Sequence, residues 1–159
     1  NVEVRIKNSE EELNELFSTI INERNDGNIG ILVSSKNSVD YYSNYLDERE
    51  IEHSAYHSGM HYKKKRQIER NLKNILITTF KSAKGLEFDT VIMPELENYN
   101  DDNNEFYVGA TRAKTYLYLL SANGLPSVLD KFKTDTYKLY KSQDAGQGNL
   151  LEDEDDLPF

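Results

Sequence analysis

The sequence predicts an α/β protein: a mainly parallel sheet with helices on both faces. Three observations carry this. Short apolar runs alternate with segments of helical period along the chain. Several of those runs, ILITT among them, are continuous rather than alternating, as strands buried on both faces are. Glycine and proline stand at the breaks, at Gly27, Gly59 and Pro94.

The elements follow in order. Val2–Ile6 reads as a strand. SEEELNELFSTIINERNDG has Ser9 as N-cap, acids in its first turn and Gly27 after its last, with Leu13, Leu16, Phe17, Ile20 and Ile21 as its apolar stripe. GILVSS is a short buried strand. Asn37 or Ser38 then caps a helix carrying Val39, Tyr42, Tyr45 and Leu46. Ile51–His57 is the third strand, broken by Gly59, and HYKKKRQIERNL is helical. Ile75–Thr79 and Thr90–Met93 are strands, the second stopped by Pro94. DDNNEFYVGATRAK reads as a helix and Tyr116–Leu120 as a last strand. Pro126–Tyr140 is expected to add one or two closing helices. Strands joined through helices make β-α-β units and hence a parallel sheet. The expected division is one domain over residues 1–141 and an acidic tail, disordered in isolation, over 142–159.

Composition narrows the function. The 159 residues are 37 % apolar and 30 % charged, enough for one domain with a core. No apolar run approaches the roughly 18 residues a membrane span needs, no signal peptide opens the chain, and there is no cysteine. A cytoplasmic protein is expected, and a start at Asn1 suggests a piece of a longer one. The net charge is −9, and Glu152–Asp156 alone supply five of the negatives. Lys63, Lys64, Lys65, Arg66, Arg70 and Lys73 form a basic cluster containing only Glu69, either a solvated helix face or a local phosphate contact. His53, His57 and His61 have the spacing of metal ligands on one helix, but they straddle a strand, a glycine and a helix start, so no metal site is expected.

Two stretches carry candidate chemistry. AKGLEF follows the Ile75–Thr79 strand, where α/β sheets hold ligands. Gly85 lets backbone approach a ligand, Lys84 supplies a cation, and Glu87 an acceptor suited to a sugar hydroxyl. A plain turn between two strands explains the same residues. In EFYVGATRAK, Glu105, Gly109 and Arg112 would share one helical face, with Phe106, Ala110, Ala113 and Leu117 on another that packs on the sheet. Gly109 implies a close approach, and Arg112 beside it has the planar donor fork that suits phosphate. A lone arginine on a helix is more commonly a surface residue.

Together, TFKSAKGLEFDTVIMP resembles motif V, and EFYVGATRAKTYLYLL resembles motif VI, of the UvrD/Rep-like superfamily 1 DNA helicases. Their patterns are close to T-x-H-x-x-K-G-L-E-F and Y-V-A/G-x-T-R-A. GILVSSKNSVDYYSNYL is similar to the looser motif IV region, so the resemblance spans roughly residues 28–121. It implies a RecA-like fold and an ATP site shared with another RecA-like domain. The chain has no G-x-x-x-x-G-K-[ST] phosphate loop, so it resembles the second, C-terminal domain, with ATP and Mg²⁺ held only together with the first domain in cis. The resemblance further implies that Lys84, Gly85, Glu87 and Tyr107 lie at the nucleotide, with Glu87 on the ribose. Arg112 is then the arginine finger, and Thr79 and Lys81 lie toward single-stranded DNA.

There are departures. Lys81 stands where the family has His, and Ser34 and Ser35 stand where motif IV offers an arginine to the nucleotide. No large insertion separates motifs IV and V. The end of the chain, LEDEDDLPF, resembles the acidic tip of bacterial single-stranded-DNA-binding proteins. That implies a partner-docking peptide of Leu157, Pro158 and Phe159; a solubilising acidic end is the plainer reading. The alternative to a helicase half is a stand-alone RecA-like adaptor that binds partners partly through this tail.

Overall fold

A computed structural model of the chain describes residues 2–7, 10–95, 109–122 and 138–141. Seven parallel strands form one sheet: β1 (Val2–Lys7), β2 (Ile29–Val33), β3 (Ser54–Ala55), β4 (Ile75–Thr79), β5 (Phe88–Met93), β6 (Ala113–Ala122) and β7 (Lys138–Lys141). Their spatial order is β3-β4-β2-β5-β6-β1-β7. The described helices are α1 (Glu10–Glu23), α2 (Lys36–Glu48) and α3 (Tyr62–Arg70).

Alternation along each strand sorts the core into two layers. On one face lie Ile29, Ile31, Val33, Ile75, Ile77, Ile92, Tyr118 and Leu120, covered by Phe17, Ile20 and Ile21 of α1 and Val39, Tyr42, Tyr45 and Leu46 of α2. Phe17 packs its ring on both Tyr42 and Tyr45, with centroids 5.3 and 5.7 Å away. The other face carries Leu32, Leu76, Val91, Met93, Leu117 and Leu119. Among the described residues its cover is mostly irregular: Phe80, Ala83 and Leu86 from the segment after β4, Ala110, and Met60 and Ile68 around α3.

At the first face, Arg24 just beyond α1 donates from Nε to the Tyr118 hydroxyl at 2.8 Å and lies 3.7 Å over the Tyr116 ring. Burial pushes the Tyr118 hydroxyl above the usual tyrosine range, opposed by its bond from Arg24.

The expected elements differ from the observed ones in instructive places. The cap of α2 is Ser35, whose hydroxyl accepts from Ser38 N–H at 3.2 Å, so β2 stops at Val33 and both serines leave the strand. The third strand shrinks from Ile51–His57 to Ser54–Ala55, because at the sheet edge only β4 offers it partners. The helix expected over residues 101–114 gives way to β6 at Ala113, which pairs with Phe88. The closing helices expected over Pro126–Tyr140 are overturned at their end: Lys138–Lys141 is β7, paired in parallel with β1. Ser9 and the tail from residue 142 lie outside the described residues.

Candidate functional site

The register places the two ends of the motif-bearing segment at opposite ends of the sheet. Thr79 pairs with Val33, at the carboxyl end of β2, whereas Thr90 pairs with Ile29 at its amino end. Phe88 begins two residues earlier, so residues 80–87 descend about six strand residues, roughly 20 Å. Sequence reasoning put all of AKGLEF at the carboxyl ends of strands. The structure corrects this: Thr79 and Lys81 stand at that end, and Glu87 and Arg112 at the amino ends of β5 and β6.

The descent is wound into turns. Thr79 Oγ1 accepts from Ser82 N–H at 3.4 Å, and Ala83 N–H donates to Thr79 O at 2.9 Å. Ala83 is buried, which pins the middle of the segment to the sheet. Leu86 N–H donates to Ala83 O at 2.9 Å. Between them Gly85 takes φ +88°, where an L side chain is strained. A Cβ there would meet nothing within 4 Å, so backbone geometry rather than crowding calls for glycine, and the space beside it is open. Lys84 and Glu87 flank it, both exposed.

Residues 109–112 join this segment twice. Phe88 N–H donates to Arg112 O at 2.9 Å. A Cβ on Gly109 would lie 2.8 Å from Cδ1 of the Phe80 ring. The close approach expected at Gly109 is therefore to Phe80, not to a ligand. Arg112 itself sits in the turn before β6 rather than on a helical face with Gly109, and its Nη2 donates to Thr111 Oγ1 at 3.2 Å. Across the β5–β6 start, Lys114 Nζ lies 4.0 Å from Glu87 Oε2. Glu87 and Arg112 thus belong to one end of the sheet, with Lys84 and Gly85 in the exposed turn that leads to it. Glu105, Tyr107, Leu157, Pro158 and Phe159 lie outside the described residues.

At the other end is a cleft of about 240 Å³ lined by Ser34, Ser35, Lys36, Ser58, Thr79, Phe80 and Lys81. Its floor is the carboxyl ends of β2 and β4, and the amino end of α2 opens beside it. Ser38 Oγ, in the first turn of α2, donates to Glu95 Oε2 at 2.7 Å. Sequence reasoning named Thr79 and Lys81 here but missed Ser58. Ser34 and Ser35, noted as standing where motif IV offers an arginine, lie at the Thr79 end. The usable signal was that Ser34 and Ser35 follow β2 as Phe80 and Lys81 follow β4.

The three histidines diverge into separate tasks. His53 Nε2 is 2.8 Å from Ser43 Oγ, His57 Nδ1 accepts from Gly59 N–H at 3.0 Å, and His61 Nδ1 accepts from Lys63 N–H as the cap of α3. No helix among the described residues is long and apolar enough to cross a membrane.

Comparison with known proteins agrees with this architecture. Residues 57–124 match the family model of the UvrD-like helicase C-terminal domain. The chain is 33 % identical over 102 residues to the RecBCD enzyme subunit RecB of Chlamydia pneumoniae, an alignment covering 53 % of this chain and 10 % of that protein. The chain thus spans about a tenth of the length of this curated relative. In fold it is similar to the C-terminal domain of a possible DNA helicase from Lactobacillus plantarum, with TM-score 0.64, 23 % identity, and 87 % and 83 % of the two chains covered. It is also similar to the C-terminal domain of the DEAD-box protein Dbp5, with TM-score 0.68, 14 % identity, and 87 % and 89 % covered. Residues 57–124 are thus similar to the UvrD-like helicase C-terminal domain, in a chain with the RecA-like fold of helicase C-terminal domains.

Proposed function

We propose that this chain is the second RecA-like half of an ATP-dependent DNA helicase, completing an ATP site whose phosphate loop and Mg²⁺ ligands belong to a first domain. One observation carries the reading. A single short segment runs from Thr79 and Lys81 at one end of the sheet to Glu87 at the other, where it is hydrogen-bonded to Arg112. Buried Phe80 and Ala83 hold this segment on the sheet, so its two ends keep a fixed separation.

The residues present suit half of a nucleotide site. The open side of Gly85 admits a ligand against backbone, Glu87 offers an acceptor for a ribose hydroxyl, and Lys84 offers a cation. Tyr107 joins them on the motif resemblance alone. Arg112 supplies a delocalised charge and a donor fork for the γ-phosphoryl oxygens, whose charge spreads in the transition state. ATP with Mg²⁺ supplies the phosphoryl chemistry when both halves are present. Thr79 and Lys81, in the serine-lined cleft, meet the backbone of single-stranded DNA.

The test uses the protein that carries both halves. Arg112→Ala should lower kcat by about 10³-fold or more while KM for ATP changes little, because the finger acts in the transition state. Retention of more than about a third of wild-type kcat would remove Arg112 from that role. The chain alone should show no ATPase activity, with or without single-stranded DNA.

A further inference from the structure

The basic cluster is a second surface, separate from the Thr79 cleft but continuous with it. α3 has no fully buried residue. Ile68 packs partly on the core and Lys65 Nζ lies 5.3 Å from the centroid of the Tyr56 ring, which defines the inward side. Tyr62, Arg66 and Arg70, spaced by one helical turn, share the opposite side with Lys63. Among the described residues, Lys63, Lys64, Arg66 and Arg70 make no ion pair, and Glu69 is the single acid of the helix. A surface helix commonly interleaves acids with its bases. This one does not, in a chain of net charge −9.

The aromatic content is the second observation. Tyr62 is 59 % exposed. The His61 ring stacks on it, with centroids 4.9 Å apart and planes 24° from parallel. Arg66 lies 5.7 Å from its centroid. An exposed aromatic pair flanked by cations outside any ion pair suits an unstacked base and its phosphates. A duplex has no free base face to offer it.

Position links the surface to the cleft. Ser58 lines the cleft and His61 caps α3, with only Gly59 and Met60 between them. A Cβ on Gly59 would meet Lys36, another wall of the cleft, at 2.9 Å. We infer that α3 is a docking surface for single-stranded DNA, with one base stacked on Tyr62 and the following phosphates along Lys63, Arg66 and Arg70. This extends the path proposed at Thr79 and Lys81, and rests on that reading.

The experiment is fluorescence anisotropy of this chain with labelled oligothymidylate over a salt series, with duplex DNA and polyglutamate as competitors. Tyr62→Ala should weaken binding about five- to hundred-fold, and Tyr62→Phe should restore it. Lys63→Glu with Arg66→Glu should weaken binding and flatten the slope of log affinity against log salt by roughly 0.7 for each phosphate no longer neutralised. These side chains are exposed, so folding should be unaffected. Wild-type affinity in the α3 variants, alongside weakened binding in Thr79→Val/Lys81→Ala, overturns the α3 surface and leaves the cleft. Failure of the unaltered chain to bind oligothymidylate overturns both. Competition by duplex DNA or polyglutamate as effective as by oligothymidylate overturns the single-strand assignment.

Discussion

The two faces of the sheet are covered in different ways. One is roofed by α1 and α2, whose aromatic and aliphatic side chains interdigitate with five strands. Among the described residues, the other is closed largely by the turns of residues 80–87, by Ala110, and by α3, a helix that buries nothing completely. Of the candidate nucleotide residues, Lys84, Gly85 and Glu87 lie on the segment that closes the second side, and the Thr79 cleft lies between the start of that segment and the amino end of α2. Helical cover satisfies its own backbone and needs no particular side chain at any exposed position. Turns leave backbone groups and special φ values facing outward, where a ligand can use them. The helix-covered face therefore suits a platform, and the less regular face carries the proposed contacts.

The largest effect that would sharpen this contrast is on stability. Phe17 is 1 % exposed and contacts two tyrosines of α2. Phe17→Ala should lower unfolding free energy by about 3–5 kcal/mol, read from denaturant melts, while any oligothymidylate affinity of the folded fraction is kept. Abolished nucleic-acid binding at unchanged stability would break the division between platform and contact face.

A smaller effect should appear at Gly30, which faces the other way. A Cβ there would lie 2.5 Å from the Phe88 ring, so Gly30→Ala must displace the start of β5. We expect a cost of about 1–3 kcal/mol. Amide exchange should quicken at Phe88, whose N–H is bound to Arg112 O, and stay protected in α1 and α2. Uniform acceleration over both faces would show that they open as one unit.

The smallest effect concerns alkaline pH. The Tyr118 hydroxyl is raised by burial, so the folded state holds this proton more tightly than the unfolded chain does. Its contribution is complete below about pH 10, the ordinary tyrosine value, and is lost as pH rises through the higher folded value. Tyr118→Phe should flatten the fall in stability above pH 10, at the expense of the Arg24 hydrogen bond near neutrality. An unchanged alkaline slope would assign that fall to other groups, Tyr56 being also raised by burial.

Much of the fold was legible in the residues. The 3.6-residue rhythm of Leu16, Phe17, Ile20 and Ile21 and the aliphatic run of ILITT follow from local periodicity, and both elements appear where expected. The motif residues were legible because Lys84, Gly85, Glu87 and Arg112 stand in a fixed order. Their arrangement was not. Which end of a parallel sheet a residue occupies depends on strand register, and register is set by pairing partners far away in the chain: Thr79 with Val33, Thr90 with Ile29. The same non-local pairing let Phe88 claim Ala113 for β6 and let β1 claim Lys138–Lys141, against helical expectations. Gly109 was correctly marked as a close approach, but only packing could name Phe80 as its neighbour. The sequence by itself determined the alternation of strands and helices, because that depends on residues within a few positions of one another. The tertiary structure alone decided that Thr79 and Arg112 lie at opposite ends of the sheet, because hydrogen-bonded register couples residues that no local pattern connects.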